Sequence, residues 1–219
     1  MIFLVSKNND WSQTLYKKLS IRHDCLFYDD DSYMCAAQRQ KPDWIFFLHW
    51  SKIVPSHIHQ KYSCVVIHTG NLPQNRGGSP IQNQILEGIV KTKVNALQMS
   101  DEVDAGDIYC SAPMTLQGDL TDIWRTIADL SYDLICKCIS GDYTLQKQLG
   151  MKQVYKRRKD NEILFDKAED LIQIYNQIRM LDAEQYPSAQ LNFKNYKLEF
   201  NRAKFNGKEI IADVKITRT

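Results

Sequence analysis

A chain of 219 residues, 43% apolar and 25% charged, is long and apolar enough for one ordinary domain with a sizeable core, and too apolar for extended disorder. With 28 Lys and Arg against 26 Asp and Glu it carries a formal charge of +2, which argues against a protein whose main work is wrapping nucleic acid, since phosphate binding draws on clustered positive charge. No apolar run approaches the roughly 20 residues of a membrane span, and Met1 to Val5 is too short and lacks the basic flank of a signal peptide. A cytoplasmic protein with no membrane partner is expected.

Met1 to Ser6 reads as a strand, Lys7 to Asp10 as a loop, and Trp11 to Leu19 as a helix with apolar residues at helical spacing. Cys25 to Tyr28 reads as a second strand. Trp44 to Leu48 and Cys64 to Ile67 are continuous apolar runs, the pattern of strands buried on both faces of a parallel sheet. Strands alternating with helices to about residue 70 predict an α/β fold, an open and mostly parallel sheet with right-handed crossovers. The first strand-to-helix turn has no glycine, which speaks against the Gly-rich pyrophosphate turn of dinucleotide-binding enzymes.

After the loop from His68 to Gly78, Ser79-Pro80 predicts an N-cap and first helical residue for a helix reaching Glu87 and ending at Gly88. Val94 to Met99 and Ile108 to Met114 read as strands, flanking an acidic loop from Asp101 to Asp107, and Leu120 to Ile139 as a long helix. The Lys- and Arg-rich stretch from Gly141 to Asp160 reads most simply as a solvated linker, with anion binding as the sharper alternative. Lys167 to Leu181 reads as an amphipathic helix. Ala189 to Phe193, Tyr196 to Phe205 and Glu209 to Ile216 form a small antiparallel sheet with turns at Lys194-Asn195 and Asn206-Gly207. The expected division is 1–150 for the α/β part and 151–219 for a small subdomain, whose exposed strand edges suggest a homodimer.

The six cysteines are scattered through apolar segments without the spacing of a zinc site, so buried reduced thiols are expected. His57 and His59 read as solvated, and no metal site is expected. In an open α/β sheet, ligands bind beyond the carboxyl ends of the strands. Four loops qualify: 49–52, 68–71, 76–79 and 101–107. They can bring His68 and Asp104 to one crevice, where the pair suits either proton transfer or a structural hydrogen bond.

His68-Thr69-Gly70-Asn71-Leu72-Pro73, three residues, Gly77-Gly78-Ser79-Pro80-Ile81-Gln82, and then Asp104-Ala105-Gly106-Asp107 resemble the active-site frame of the formyltransferases that use 10-formyltetrahydrofolate. The resemblance covers roughly residues 1–140, and Arg157-Arg158 through Ile163, Arg179 and Tyr186-Pro187 resemble the downstream region of the sugar-modifying and synthetase-linked members. It implies a Rossmann-like formyltransferase fold and an N-formyltransferase with 10-formyltetrahydrofolate as co-substrate. His68 would be catalytic and Asp104 its partner. Trp50, Ser51, Lys52, Ile53, Asp101, Val103 and Asp104 would hold the folate.

One position departs from the family: an asparagine expected two residues before the histidine is here Val66. A valine donates nothing to an oxyanion, and loss of such a donor costs on the order of 3 kcal/mol. Either another donor has moved in, with Asn71 and His49 the nearest, or turnover is weak. Asn71 is assigned with His68 and Asp104 as catalytic, the alternative being that it merely caps its turn.

For the acceptor, about 60 residues after Asp160 and a near-neutral charge count against a tRNA-binding domain, so no nucleic-acid partner is expected. The resemblance favours a nucleotide-linked 4-amino-4,6-dideoxy sugar of the lipopolysaccharide or O-antigen kind. Arg76 and Gly77 beside the turn, with Arg179 and Tyr186, would contact it; each arginine could equally be an ordinary surface or helix-face residue. A methionyl-tRNA formyltransferase-like enzyme and a non-catalytic binder of folate or sugar nucleotide are the alternatives.

Overall fold

The computed structural model describes residues 1–159, 161, 163 and 167–219. In chain order the first elements are β1 (Ile2–Ser6), α1 (Asp10–Ser20), β2 (Cys25–Tyr28), α2 (Ser32–Gln40), β3 (Trp44–Leu48), α3 (Ser56–His59) and β4 (Ser63–Thr69). There follow β5 (Arg76–Gly77), α4 (Pro80–Leu86), β6 (Lys91–Gln98), β7 (Ile108–Thr115) and α5 (Leu120–Ser140). The tail holds β8 (Val154–Tyr155), α6 (Leu171–Arg179), β9 (Ala189–Phe193), β10 (Tyr196–Phe205) and β11 (Ile210–Arg218).

The main sheet has the order β2-β1-β3-β4-β6-β7. The first four strands are parallel, while β6 runs antiparallel to β4 and β7 antiparallel to β6. Because side chains alternate across a pleated strand, the apolar runs supply two cores at once. Leu4, Phe46, Leu48, Val65 and Ile67 pack on one face with α1 and α5. Phe3, Val5, Ile45, Phe47 and Cys64 pack on the other with Tyr33, Ala36 and Ala37 of α2. The chain leaves β1 toward β2 on one side and β3 toward β4 on the other, so the strand order reverses between β1 and β3. A ligand crevice belongs at their carboxyl ends.

Local chemistry sets the helix ends that face this crevice. Asn9 caps α1, its Oδ1 accepting from Ser12 N at 3.0 Å while Asn9 N donates back to Ser12 Oγ. Asp119 caps α5, which ends at Gly141 in the left-handed region (φ 76°). The Ser79 prediction is corrected in part: α4 starts at Pro80 and Ser79 holds the N-cap position, but with φ 48° its side chain makes no capping bond. Its hydroxyl instead accepts from Arg158 N at 3.1 Å.

The Gly141 to Asp160 linker reading is also corrected, Asp160 itself lying outside the described residues. Gln146 bridges Ile108 at the start of β7, and β8 pairs in parallel with β5. Glycine is required where this segment lands: a Cβ on Gly77 would meet Tyr155 O at 2.5 Å, and one on Gly78 would meet Arg157 Cα at 2.6 Å. The three-stranded antiparallel sheet β11-β10-β9 forms as expected. Helix α6 is shorter than the expected Lys167 to Leu181. Cys25, Cys64 and Cys138 are buried, but Cys35 is exposed. No helix among the described residues is long and apolar enough to cross a membrane.

Candidate active site

A cavity of about 670 Å³ opens at the carboxyl ends of β1, β3 and β4. His68, at the end of β4, and Asp104, in the loop between β6 and β7, both line it. Both side chains are largely buried, and His68 Nδ1 lies 3.3 Å from Asp104 Oδ2. The other ring nitrogen, Nε2, is 2.8 Å from Asn75 O. A carbonyl oxygen only accepts, so Nε2 carries a proton. Nδ1 therefore bonds the carboxylate only when the ring is doubly protonated and charged. Asp104 Oδ2 is also held by Gly77 N–H at 2.9 Å, and its backbone sits at φ 52°, a conformation the loop must enforce.

The folate residues expected from the resemblance come together: Trp50, Ser51, Lys52, Ile53, Asp101, Val103 and Asp104 all line the cavity. Phe47, Val54, Leu97 and Met99 add apolar wall beside them. A cavity of several hundred Å³ with apolar walls and a few convergent polar groups suits a small molecule or cofactor. The Nε1 of Trp50 is buried without a protein partner among the described residues. His59, read from sequence as solvated, lines the same wall and lies 3.4 Å from Asp101 Oδ1.

Other expected site residues do not reach the cavity. Asn71 turns outward, its Nδ2 donating to Lys91 O at 3.2 Å, so its amide does not face the space that Val66 leaves. Arg76 is buried beneath the loop, donating through Nε and Nη2 to Gln148 Oε1 at 3.0 and 2.8 Å and pairing with Glu102. Arg179 donates to Leu116 O and Gly118 O at 2.7 and 2.9 Å and closes α6 onto the main domain. Gly77 and Tyr186 do line the cavity. So do Lys7, Arg157 and Arg158, which were not assigned to the site. Burial and the Arg157 charge push the Lys7 ammonium down from its ordinary value. No carboxylate lies in ion-pair range of these three among the described residues.

His49, just after β3, also lines the cavity. Its φ is 51°, and its ring lies tilted against Trp124 and parallel to Tyr186, with centroids 4.2 and 5.8 Å away. Because Asn9 Oδ1 is committed to capping α1, its Nδ2 is the atom 3.4 Å from His49 Nδ1. The ring then accepts at Nδ1 and donates from Nε2 to Tyr186 Oη at 2.9 Å. Burial, followed by the Lys7 and Arg157 charges, pushes this imidazole down to about 3.

The unfolded chain takes up a proton on His49 below about pH 6.5, whereas the folded chain refuses it down to about 3. The native stability is therefore full above pH 6.5 and declines as pH falls through that window, by at most about 1.4 kcal/mol per pH unit. Urea titrations at pH 7.5 and 5.0 check this. The native chain should lose more stability on acidification than His49→Gln, and equal losses would contradict it.

Comparison with known proteins fits this geometry. A family model described as formyl transferase matches residues 28–136, and one described as the C-terminal domain of methionyl-tRNA formyltransferase matches residues 159–217. The solved structure of methionyl-tRNA formyltransferase from Clostridium thermocellum is 34% identical with a TM-score of 0.91, each chain being covered in full. The methionyl-tRNA formyltransferase of Bacillus licheniformis is 30% identical over 167 residues, which take up 72% of this chain and 53% of that one. WlaRD, a sugar 3N-formyl transferase solved with dTDP and 5-N-formyl-THF, is 16% identical with a TM-score of 0.64 over 97% of both chains. At that identity the likeness speaks for the fold alone.

The chain belongs to the formyl transferase family. It spans about half the length of the curated relatives it matches. One expectation is corrected here. The tail judged too short for the C-terminal domain of a tRNA-formylating relative is matched by that domain's family model over 159–217, so chain length does not argue against a tRNA acceptor.

Proposed function

We propose that the protein transfers the formyl group of 10-formyltetrahydrofolate to a primary amine, with aminoacylated methionyl-tRNA as the first acceptor to test. The observation that carries the reaction is the His68 and Asp104 pair on the wall of a cavity that is also lined by apolar side chains and by Lys7, Arg157 and Arg158. The acceptor is supported by the methionyl-tRNA formyltransferase relatives and by the C-terminal family match.

In this reading Trp50 to Ile53, Asp101 and Val103 hold the folate with its formyl carbon toward His68. The neutral amine attacks that carbon, the carbonyl oxygen takes up negative charge, and collapse of the tetrahedral intermediate breaks the bond to the folate nitrogen. The amine loses a proton and the folate nitrogen gains one. Since His68 Nε2 is committed to Asn75 O, Nδ1 is the atom that exchanges protons. Asp104 supports the charged ring, and the imidazolium stabilises the oxyanion. Asn71, turned outward, does not take the place of the family asparagine at Val66, and the positive ring carries more of that stabilisation.

Lys7 and Arg157, with no carboxylate in ion-pair range among the described residues, receive acceptor phosphate. Removing such a charge-assisted bond costs about 1.5 to 3 kcal/mol, or at least tenfold in binding. Lys7→Met and Arg157→Met are each expected to raise the acceptor KM about tenfold or more while leaving the KM for 10-formyltetrahydrofolate within about twofold. Steady-state kinetics with each substrate varied in turn would show it.

A second reading, a nucleotide-linked amino sugar, is favoured by one observation: these cations line the cavity itself, within reach of a small diphosphate. Incubation with 10-formyltetrahydrofolate and either methionyl-tRNA or a panel of 4-amino-4,6-dideoxy sugar nucleotides, followed by mass spectrometry, separates the two. Formylated methionyl-tRNA supports the first reading, and a formylated sugar alone replaces it with the second.

A further inference from the structure

The stretch that follows α5 reaches both halves of the candidate catalytic pair, Asp104 directly and His68 through Asn75, by two side chains that the formyl-transfer chemistry does not use. Gln146 first pins it to β7: Ile108 N donates to Gln146 O at 2.8 Å and Gln146 N to Ile108 O at 3.0 Å. Gln148, half-buried, then reaches under the acidic loop. Its Nε2 donates to Asp104 O at 2.9 Å and to Gly106 O at 2.8 Å, while its Oε1 accepts from Arg76 Nε and Nη2. All four interactions run through one amide, so its orientation is fixed by Arg76 and its two N–H groups are aimed at the backbone on either side of Ala105. The left-handed conformation at Asp104 is held from below by these bonds and from above by Gly77 N–H.

Seven residues on, Tyr155 does the same for the histidine. Its hydroxyl accepts from Asn75 Nδ2 at 2.7 Å and donates to Glu87 Oε2. Asn75 is buried, has φ 62°, and its Oδ1 accepts from Asn71 N at 3.0 Å, so the amide cannot rotate. The Asn75 carbonyl so fixed is the acceptor for His68 Nε2. Gly70 permits this approach: a Cβ there would meet Asn75 Cβ at 3.0 Å and His68 Nε2 at 3.3 Å. Most of this stretch is otherwise exposed, Leu149 and Met151 above 80%, so packing alone does not explain its course.

We propose that residues 146–155 form a brace for the catalytic pair, with Gln148 as the positioning residue for Asp104 and Tyr155 as the positioning residue for His68 through Asn75. The proposal rests on the reading that this pair carries formyl transfer, and it adds that the pair's geometry is set by a segment remote in sequence from both members. The brace fixes which ring nitrogen keeps its proton and how close Nδ1 lies to Oδ2. Small misplacements at a reacting centre cost up to about 100-fold in rate.

The test uses Gln148→Glu and Tyr155→Phe in the full chain. The first keeps size and the Arg76 pairing but removes both N–H donors; the second keeps the ring and removes only the hydroxyl. Each is expected to lower kcat about 10- to 100-fold with a melting temperature near that of the native chain, and in a His68→Asn background neither should lower the residual rate further. The ring nitrogens of His68, followed by 15N NMR against pH, report the pair without any turnover. Their chemical shifts and titration midpoint should move in both variants. Gln148→Met repeats the measurement if the carboxylate blocks folding. Unchanged His68 signals with unchanged kcat, or losses that add to that of His68→Asn, would overturn the brace. Shifted His68 signals in a protein that formylates no amine would uphold the brace and overturn the proposed reaction.

Discussion

Replacing His68 by Asn is expected to lower kcat for formyl transfer by about 10²- to 10⁴-fold, the usual span for a proton-transferring side chain. Asparagine is smaller and takes up no proton near neutral pH, so the effect reports the loss of a group that can hold a positive charge together with the Nε2–H bond to Asn75 O. Binding of 10-formyltetrahydrofolate should change little, because the slot formed by Trp50, Val54, Met99 and Val103 is untouched. Single-turnover kinetics would place the loss in the chemical step, whereas a rise in the KM for folate at constant kcat would assign His68 to binding instead. The large expected effect follows from Val66. With no side-chain amide supplied by Asn71, the protein has fewer donors to fall back on than a family member with the asparagine.

The second large effect concerns stability and placement together. A Cβ on Gly106 would sit 1.7 Å from Gln98 O, closer than any real contact, and the clash is with backbone that cannot swing aside. Gly106→Ala must therefore pull the loop away from the end of β6 and break the bond from Gln98 N to Asp107 O, now 2.8 Å. A loss of about 3 kcal/mol or more is expected, typical of an enforced backbone shift at a tight site. Since Gln148 Nε2 also bonds Gly106 O, the shift carries Asp104 with it, so activity falls even at temperatures where the variant stays folded. Chemical denaturation and kcat measured side by side test this. A variant of native stability would contradict the account of why glycine stands there.

Much of this was readable in the residues. The apolar runs at β1, β3 and β4 have one physical outcome, strands covered on both faces, and the loops after them fall at the ligand end of the sheet. That reasoning brought the loops 49–52, 68–71, 76–79 and 101–107, with His68 and Asp104, to one place. It failed where contacts depend on distant chain. Arg76 next to a glycine turn looks like a ligand-facing cation, and only the arrival of Gln148 and the proximity of Glu102 turn it under the loop. Arg157 and Arg158 sat in a stretch whose composition reads as solvated, because the two-residue pairing of β8 with β5 is too short for periodicity to show. A signal was available in the pair Gly77-Gly78. Adjacent glycines outside a simple turn mark a close backbone approach, and here the approaching chain is Val154 to Arg157. Tail length misled differently as an argument against a tRNA acceptor: it ignores the pattern of the tail, which matches a methionyl-tRNA formyltransferase C-terminal domain.

The central claim is that His68 and Asp104, on this cavity, move a formyl group from folate to an amine. The most direct measurement is mass-spectrometric detection of formylated product after incubation of the native chain and of His68→Asn with 10-formyltetrahydrofolate and methionyl-tRNA, with the amino-sugar nucleotides run in parallel. The account predicts a formylated amine with the native chain and at least a 100-fold slower appearance with the variant. Native protein that binds 10-formyltetrahydrofolate yet formylates none of these amines, or a variant as fast as the native chain, would contradict it.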